Sequence, residues 1–160
     1  MTSTLKIVTV WLLLGVSLFV AFNEWQRQRD LTRFTAQEGT IEIRRGPDGH
    51  YHWPGQIDGH PVDFLVDTGA TRSAMSRALA DQLELKTEGQ VQSTTANGVV
   101  TGSTARVDLS LRGGVLAERL RIVVLPNLGD KPLLGMDVLG RLNLHQRNGV
   151  LRIVADTGDK

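Results

Sequence analysis

The spacing of hydrophobic and polar positions changes character several times along this chain. From Ile7 to Asn23 there is no charge, and Val, Leu, Phe and Ala dominate, with Lys6 before the run and Glu24 after it. A helix over these 17 residues has no polar face, unlike the flank of a soluble core, and it sits at the short end of lengths that cross a bilayer. Residues 24–38 (EWQRQRDLTRFTAQE) are polar and poorly periodic, which suits a juxtamembrane linker or a short helix. Beyond them the period falls to two. IEIRR alternates, and YHWPGQI leads into Asp58-Gly59, a dipeptide favoured in two-residue hairpin turns, with Val62 to Val66 returning. One helix is predicted over Ser76 to Leu83, capped by Ser76, with Ala78, Leu79 and Leu83 on one face. VQSTT and VVTGSTARVDLSL then flank a second hairpin signal at Ala96-Asn97-Gly98, and ERLRIVVL is a further alternating strand. LLGMDVLGRL reads as a short helix entered through a glycine, and NLHQ and VLRIV are joined by Asn148-Gly149. The fold class is therefore all-β with one or two short helices.

The first run is read as an uncleaved anchor. A cleaved signal peptide ends in a small-x-small site, whereas Val20-Ala21-Phe22-Asn23 puts bulky Phe there. Trp25 suits an interfacial aromatic, and Lys6 can snorkel to the headgroups. Arg27, Arg29 and Arg33 outweigh Lys6 and the terminal amine by about one charge, a slight lean toward a cytoplasmic domain. Against so small a bias, the tendency of a lone N-terminal anchor to export the chain behind it favours a domain outside the cytoplasm. The absence of cysteine fits either side. From Phe34 onward acids exceed bases by one, so no basic face argues for nucleic acid.

The tripeptide Asp-Thr-Gly occurs twice, at Asp67–Gly69 and Asp156–Gly158. The first comes after an apolar strand and has a long patterned stretch behind it. The second comes after the last strand, with only Asp159 and Lys160 beyond it, and reads as a polar tail. Asp67 thus stands where a hydrophobic strand runs into a glycine-containing loop, rigidly held yet reachable.

The order of an apolar run, Asp-Thr-Gly-Ala at Asp67–Ala70, a hairpin tipped by Ala-Asn-Gly, and Leu133-Leu134-Gly135 before a short helix resembles the single-domain aspartic proteases of the retropepsin type, above all their membrane-anchored bacterial branch. The resemblance covers residues 46–154. It implies a closed β-barrel behind an N-terminal transmembrane helix. The division is then an anchor at 1–23, a linker at 24–45, a protease domain at 46–155 and a tail at 156–160. It also implies a peptidase in which Asp67 is the catalytic residue, needing neither cofactor nor metal. Hydrolysis by carboxyl groups alone requires two of them sharing a proton, one taking a proton from water and the other giving one to the carbonyl oxygen. One chain supplies one usable Asp, so the active unit is a two-fold homodimer. By the same resemblance Thr68 locks the paired loops, Gly69 admits the substrate backbone, Ala70 completes the loop, and Thr95 to Gly102 form a flap with Ala96, Asn97 and Gly98 at its tip. Leu133-Leu134-Gly135 packs beneath the catalytic loop. The partners implied are a peptide or protein substrate, a second copy and the membrane, with the domain on the periplasmic side of a bacterial inner membrane.

Two positions depart from the retroviral pattern. An acidic residue after Asp-Thr-Gly-Ala and an Arg after the later Gly are replaced by Thr71 and Met136. Losing both members of an ion pair is tolerable, but the dimer is then held differently or more weakly, and tethering to one membrane, by raising the local concentration of chains, offsets a weak interface. His50 and His52 alternate on one strand with His60 near in sequence, yet no Cys or close carboxylate completes a zinc site. Asp137 reads as a surface or capping residue rather than a third catalytic acid. The competing reading is a catalytically idle, membrane-tethered barrel that binds peptide or serves as a dimerisation module.

Overall fold

The computed structural model describes residues 2–30, 32–37, 39–95 and 98–155. The chain divides into two units, Met1–Leu31 and Thr32–Lys160. The first is one helix, α1 (Thr2–Asp30), within which Ile7–Gln26 is long and apolar enough to cross a membrane. Its 20 residues span about 30 Å, the thickness of a bilayer's hydrocarbon core.

The second unit opens with β1 (Arg33–Ala36) and β2 (Gly39–Arg44), both within the stretch expected as linker. Next come β3 (His52–Ile57), β4 (His60–Val66), β5 (Ala74–Ser76), α2 (Arg77–Gln82), β6 (Thr87–Thr95), β7 (Gly98–Leu111) and β8 (Val115–Leu125). β9 (Leu133–Leu134), α3 (Met136–Leu139), β10 (Asn143–Arg147) and β11 (Val150–Ala155) complete it. The strand order β8-β5-β9-β4-β3-β7 closes when β7 pairs again with β8, so the sheet is a barrel; β1 adds to β8 and β6 to β7. β2 joins the final hairpin in a separate three-stranded sheet, β10-β11-β2.

The turns reflect their residues. Asp58 and Gly59 have φ of 48° and 82°, and Asn148 and Gly149 of 51° and 74°, the two left-handed residues that the tight hairpin requires. Ser76 caps α2 by accepting from the Leu79 N–H at 3.2 Å, although the helix buries Ala80 and leaves Ala78 exposed. Barrel strands alternate inward and outward, and Trp53, Ile57, Phe64, Val107, Leu109, Ala117, Leu120 and Ile122 fill one core. Where β7 pairs with β8 the register slips between Val107 and Leu109. Arg119 takes a positive φ of 56° there, and its N–H donates to Asp108 Oδ1 at 2.8 Å. This bulge absorbs the extra residue, so Ala117 and Leu120, three apart, both face inward.

The segment LLGMDVLGRL enters its short helix through Gly135, as its residues suggest, and a strand precedes it. Leu133 and Leu134 are a strand, and only Met136–Leu139 is helical. Leu65 and Val66 run parallel to Leu133 and Leu134; pairing there satisfies backbone groups that a helix starting at Leu133 would leave buried.

Candidate active site

Asp67 is the first residue beyond β4 and is half-buried. The strand delivering it is held on both sides. The Leu65 N–H donates to the Pro132 carbonyl at 2.9 Å, the Val66 N–H to the Tyr51 carbonyl at 2.9 Å, and the Asp67 N–H to the Leu134 carbonyl at 3.0 Å. A turn comes next, closed by the Ala70 N–H on the Asp67 carbonyl at 3.2 Å. The Gly69 N–H donates to Asp67 Oδ1 at 2.9 Å. A Cβ on Gly69 would stand 3.2 Å from that oxygen, so glycine keeps the carboxylate's approach open. Thr68 and Gly69 are exposed and Ala70 is half-buried. The loop thus presents one oriented carboxylate on a fixed backbone.

Its far end is bolted to the segment after β9. The Met136 N–H donates to the Ala70 carbonyl at 2.8 Å. Ser73 is fully buried; its Oγ accepts from the Gly135 N–H at 3.0 Å and donates to Asp137 Oδ1 at 2.8 Å. The Ser73 N–H reaches both Asp137 oxygens at 3.0 Å. Asp137, half-buried in the first turn of α3, is therefore the acceptor for Ser73 rather than a helix cap. Residue spacing alone could not reveal it, because the partners lie 64 positions apart. Thr71 is exposed, and Met136 is 41% exposed beside the same loop.

Of the expected flap residues, Ala96 and Asn97 lie outside the described residues. The strands leading to them are ordered as a hairpin, with Thr95 paired to Gly98 and Gln92 to Thr101. Gly98 takes φ of 108°, which favours glycine, and Val99 is exposed. Val91 and Val100 pack on Ala74, Val123 and Leu125, which ties the hairpin to β5, the strand that leaves the Asp67 loop. A pocket of about 260 Å³ opens there, lined by Gln90, Thr101, Ser103 and Val124 with Arg77 and Pro126. Asp156 also lies outside the described residues.

The histidines behave differently from their sequence pattern. Two carboxylates do reach His52: Asp48 Oδ2 at 2.8 Å from Nε2 and Asp63 Oδ2 at 3.0 Å from Nδ1. Lys131 Nζ, however, stands 2.9 Å from Nδ1 and 2.7 Å from Asp63 Oδ2. An ammonium in that place fills the position a cation would take, and no group of three metal-ligating side chains occurs among the described residues. Burial acts to raise the Asp63 carboxyl, but hydrogen bonds and charge from Lys131 and His52 outweigh it and hold the group below the ordinary carboxylate value. Asp48 is likewise held low, first by the His50 N–H and then by His52.

A closed barrel with an Asp-Thr-Gly loop seated on a Leu-Leu-Gly segment defines a retropepsin-like aspartic protease. Residues 53–141 match the family described as gag-polyprotein putative aspartyl protease, and the chain belongs to that family. Among solved structures it is similar to a retropepsin-like aspartic protease from Rickettsia conorii, with a TM-score of 0.57 and 23% identity over 76% of this chain and 94% of that one. A complex of EIAV protease with the inhibitor HBY-793 aligns at a TM-score of 0.47 and 22% identity, over 59% of this chain and 89% of that one. Comparison with curated proteins finds no match.

Proposed function

We propose that this protein is a membrane-anchored aspartic endopeptidase that works as a homodimer, with Asp67 of each chain forming the catalytic pair. The observation that carries the reading is the seating of Asp67. Its N–H is bonded to Leu134 and its carboxylate to the Gly69 N–H, so the side chain is pre-positioned while one face stays open. A water held between two such carboxyls loses a proton to the ionised one while the protonated one gives its proton to the substrate carbonyl oxygen. The water oxygen bonds to the carbonyl carbon. Proton transfer to the amide nitrogen then allows the C–N bond to break, releasing a carboxyl and an amine.

In this reading Thr68 links the two loops across the dimer axis, Gly69 and Ala70 leave room for the substrate backbone, and the β6–β7 hairpin with Ala96, Asn97 and Gly98 closes over an extended peptide as an added strand. Met136, exposed beside the loop, offers the partner chain an apolar contact where retroviral members use an ion pair. Residues 46–155 form the protease domain, extended in this chain by β1 and β2. The helix over Ile7–Gln26 holds the protein in a bacterial inner membrane with the domain on the periplasmic side, and carbonate extraction together with protease treatment of spheroplasts tests that placement.

The central test incubates the full-length protein in detergent with a mixed peptide library from acid to neutral pH, with and without a statine-type inhibitor. Inhibitor-sensitive cleavage is expected. Binding of peptides without cleavage, at concentrations where the protein is dimeric, would favour an idle peptide-binding barrel instead.

A further inference from the structure

We propose that Asp137 is a positioning residue for the catalytic loop, acting through Ser73 on the peptide group between Leu134 and Gly135. The proposal rests on the protease reading of Asp67 and adds to it a residue that never meets substrate. The peptide unit joining Leu134 to Gly135 is bonded at both ends to the loop. Its carbonyl accepts from the Asp67 N–H at 3.0 Å, and its N–H donates to Ser73 Oγ at 3.0 Å. A peptide unit is planar and rigid, so whatever fixes the N–H fixes the direction of the carbonyl. The orientation of Ser73 therefore sets the tilt of the group that holds Asp67.

Ser73 cannot orient itself. Its oxygen is occupied as an acceptor by Gly135, which leaves its hydrogen to find an acceptor, and it is fully buried. Asp137 Oδ1 takes that hydrogen at 2.8 Å, while the two carboxylate oxygens together receive the Ser73 N–H. The chain Gly135 N–H to Ser73 Oγ–H to Asp137 runs in one direction and ends on an acceptor that has no hydrogen of its own when ionised, so each bond polarises the next. The Asp67–Leu134, Ala70–Met136 and Ser73–Val123 bonds are made by backbone groups that nearly any residue supplies. Among these loop attachments, the Ser73–Asp137 pair is the one that side chains specify.

Asp137→Asn tests this. It keeps the shape and one oxygen able to accept from Ser73, but puts an NH2 where Oδ2 received the Ser73 N–H, so that donor faces donor, and it removes the carboxylate's charge. Losing one charge-assisted hydrogen bond predicts a fall in kcat of roughly tenfold with KM changed less than about twofold. Amide exchange at Gly69, Ala70 and Ser73 is expected to speed up while that at Ile57 and Leu109 in the barrel is unchanged. Ser73→Ala combined with Asp137→Asn is expected to be no worse than the more damaged single variant, as for two residues that act as a unit. Asp81→Asn, on an exposed ion pair with Arg77, serves as the control. Unaltered kcat and unaltered exchange in Asp137→Asn would overturn the proposal, and so would faster exchange throughout the barrel, which marks a general loss of stability. Should the wild-type protein cleave nothing, the protease reading fails, and the exchange measurement still decides whether Asp137 holds the loop.

Discussion

Gly135→Ala is the sharpest probe of how the loop is seated. A Cβ built on Gly135 falls 2.4 Å from the Arg72 carbonyl carbon, 2.7 Å from its oxygen and 2.8 Å from the Ser73 nitrogen. All three are backbone atoms, so no rotamer change relieves the contact. Ordinary contact begins near 3.4 Å, so the loop and the segment after β9 must part by about 1 Å. Overpacking of this kind costs about 1–3 kcal/mol, and in a domain of this size each kcal/mol lowers the melting temperature by roughly 4 °C. A 1 Å displacement of a catalytic group costs up to about 100-fold in rate, so activity is expected to fall much further than stability. Gly129→Ala is the matched control, since a Cβ there meets nothing within 4 Å. The assay pairs a thermal melt with kcat/KM on a peptide the wild-type protein cleaves. A Gly135→Ala protein that melts and cleaves like Gly129→Ala would refute the seating described here.

Other expectations rest on the same structure. Asp67→Asn keeps the loop's size and is expected to abolish hydrolysis without unfolding; mixed dimers with one wild-type chain should be as inactive, and near half-activity in purified mixed dimers would show that each chain holds a complete site. Asp156→Asn is expected to leave kcat/KM unchanged within about twofold, because that copy of the tripeptide lies past the last strand. The Asp63 carboxyl is held below its ordinary value of 3.8, so its contribution to stability is complete above that pH and is lost as pH falls through the lower folded value. Melting curves below pH 4 should accordingly decline more steeply for the wild-type protein than for Asp63→Asn, and parallel curves would count against the His52–Asp63–Lys131 network. Trp53→Phe removes a buried indole whose N–H donates to the Arg112 carbonyl at 2.9 Å, and a loss of about 2–3 kcal/mol in denaturant unfolding is expected.

Local chemistry explains why much of this fold could be read from residues alone. Asp58-Gly59 and Asn148-Gly149 are turns because those residues tolerate positive φ, and Ser76 begins a helix because its hydroxyl can reach the third amide on. Asp67 stands out for the same reason, as a polar residue fixed at the end of an apolar strand. The features that stay hidden depend on distant partners. Leu133-Leu134 is too short to read as a strand until Leu65 and Val66 are placed alongside, and RFTA looks like linker until β8 offers its edge. The bulge at Arg119 shows in the residues only as two successive polar positions, Glu118 and Arg119, in an otherwise alternating run. Ser73 and Asp137 are each ordinary in their own neighbourhoods, and only the barrel's closure makes them a pair.

The parallel pairing of β4 with β9 also bears on when, during synthesis, the site comes into being. A ribosome delivers Asp67 long before Leu133, and until that later strand has emerged and packed, the Asp67 N–H has no Leu134 carbonyl and Ser73 no Asp137. Contacts this far apart in sequence form late, because the entropy of closing the intervening chain must be overcome first. A nascent or truncated chain ending before Leu133 carries the full Asp-Thr-Gly motif on a strand end with nothing beside it. The carboxylate is thus organised only in a chain translated past Asp137, a delay built into the topology of the barrel itself.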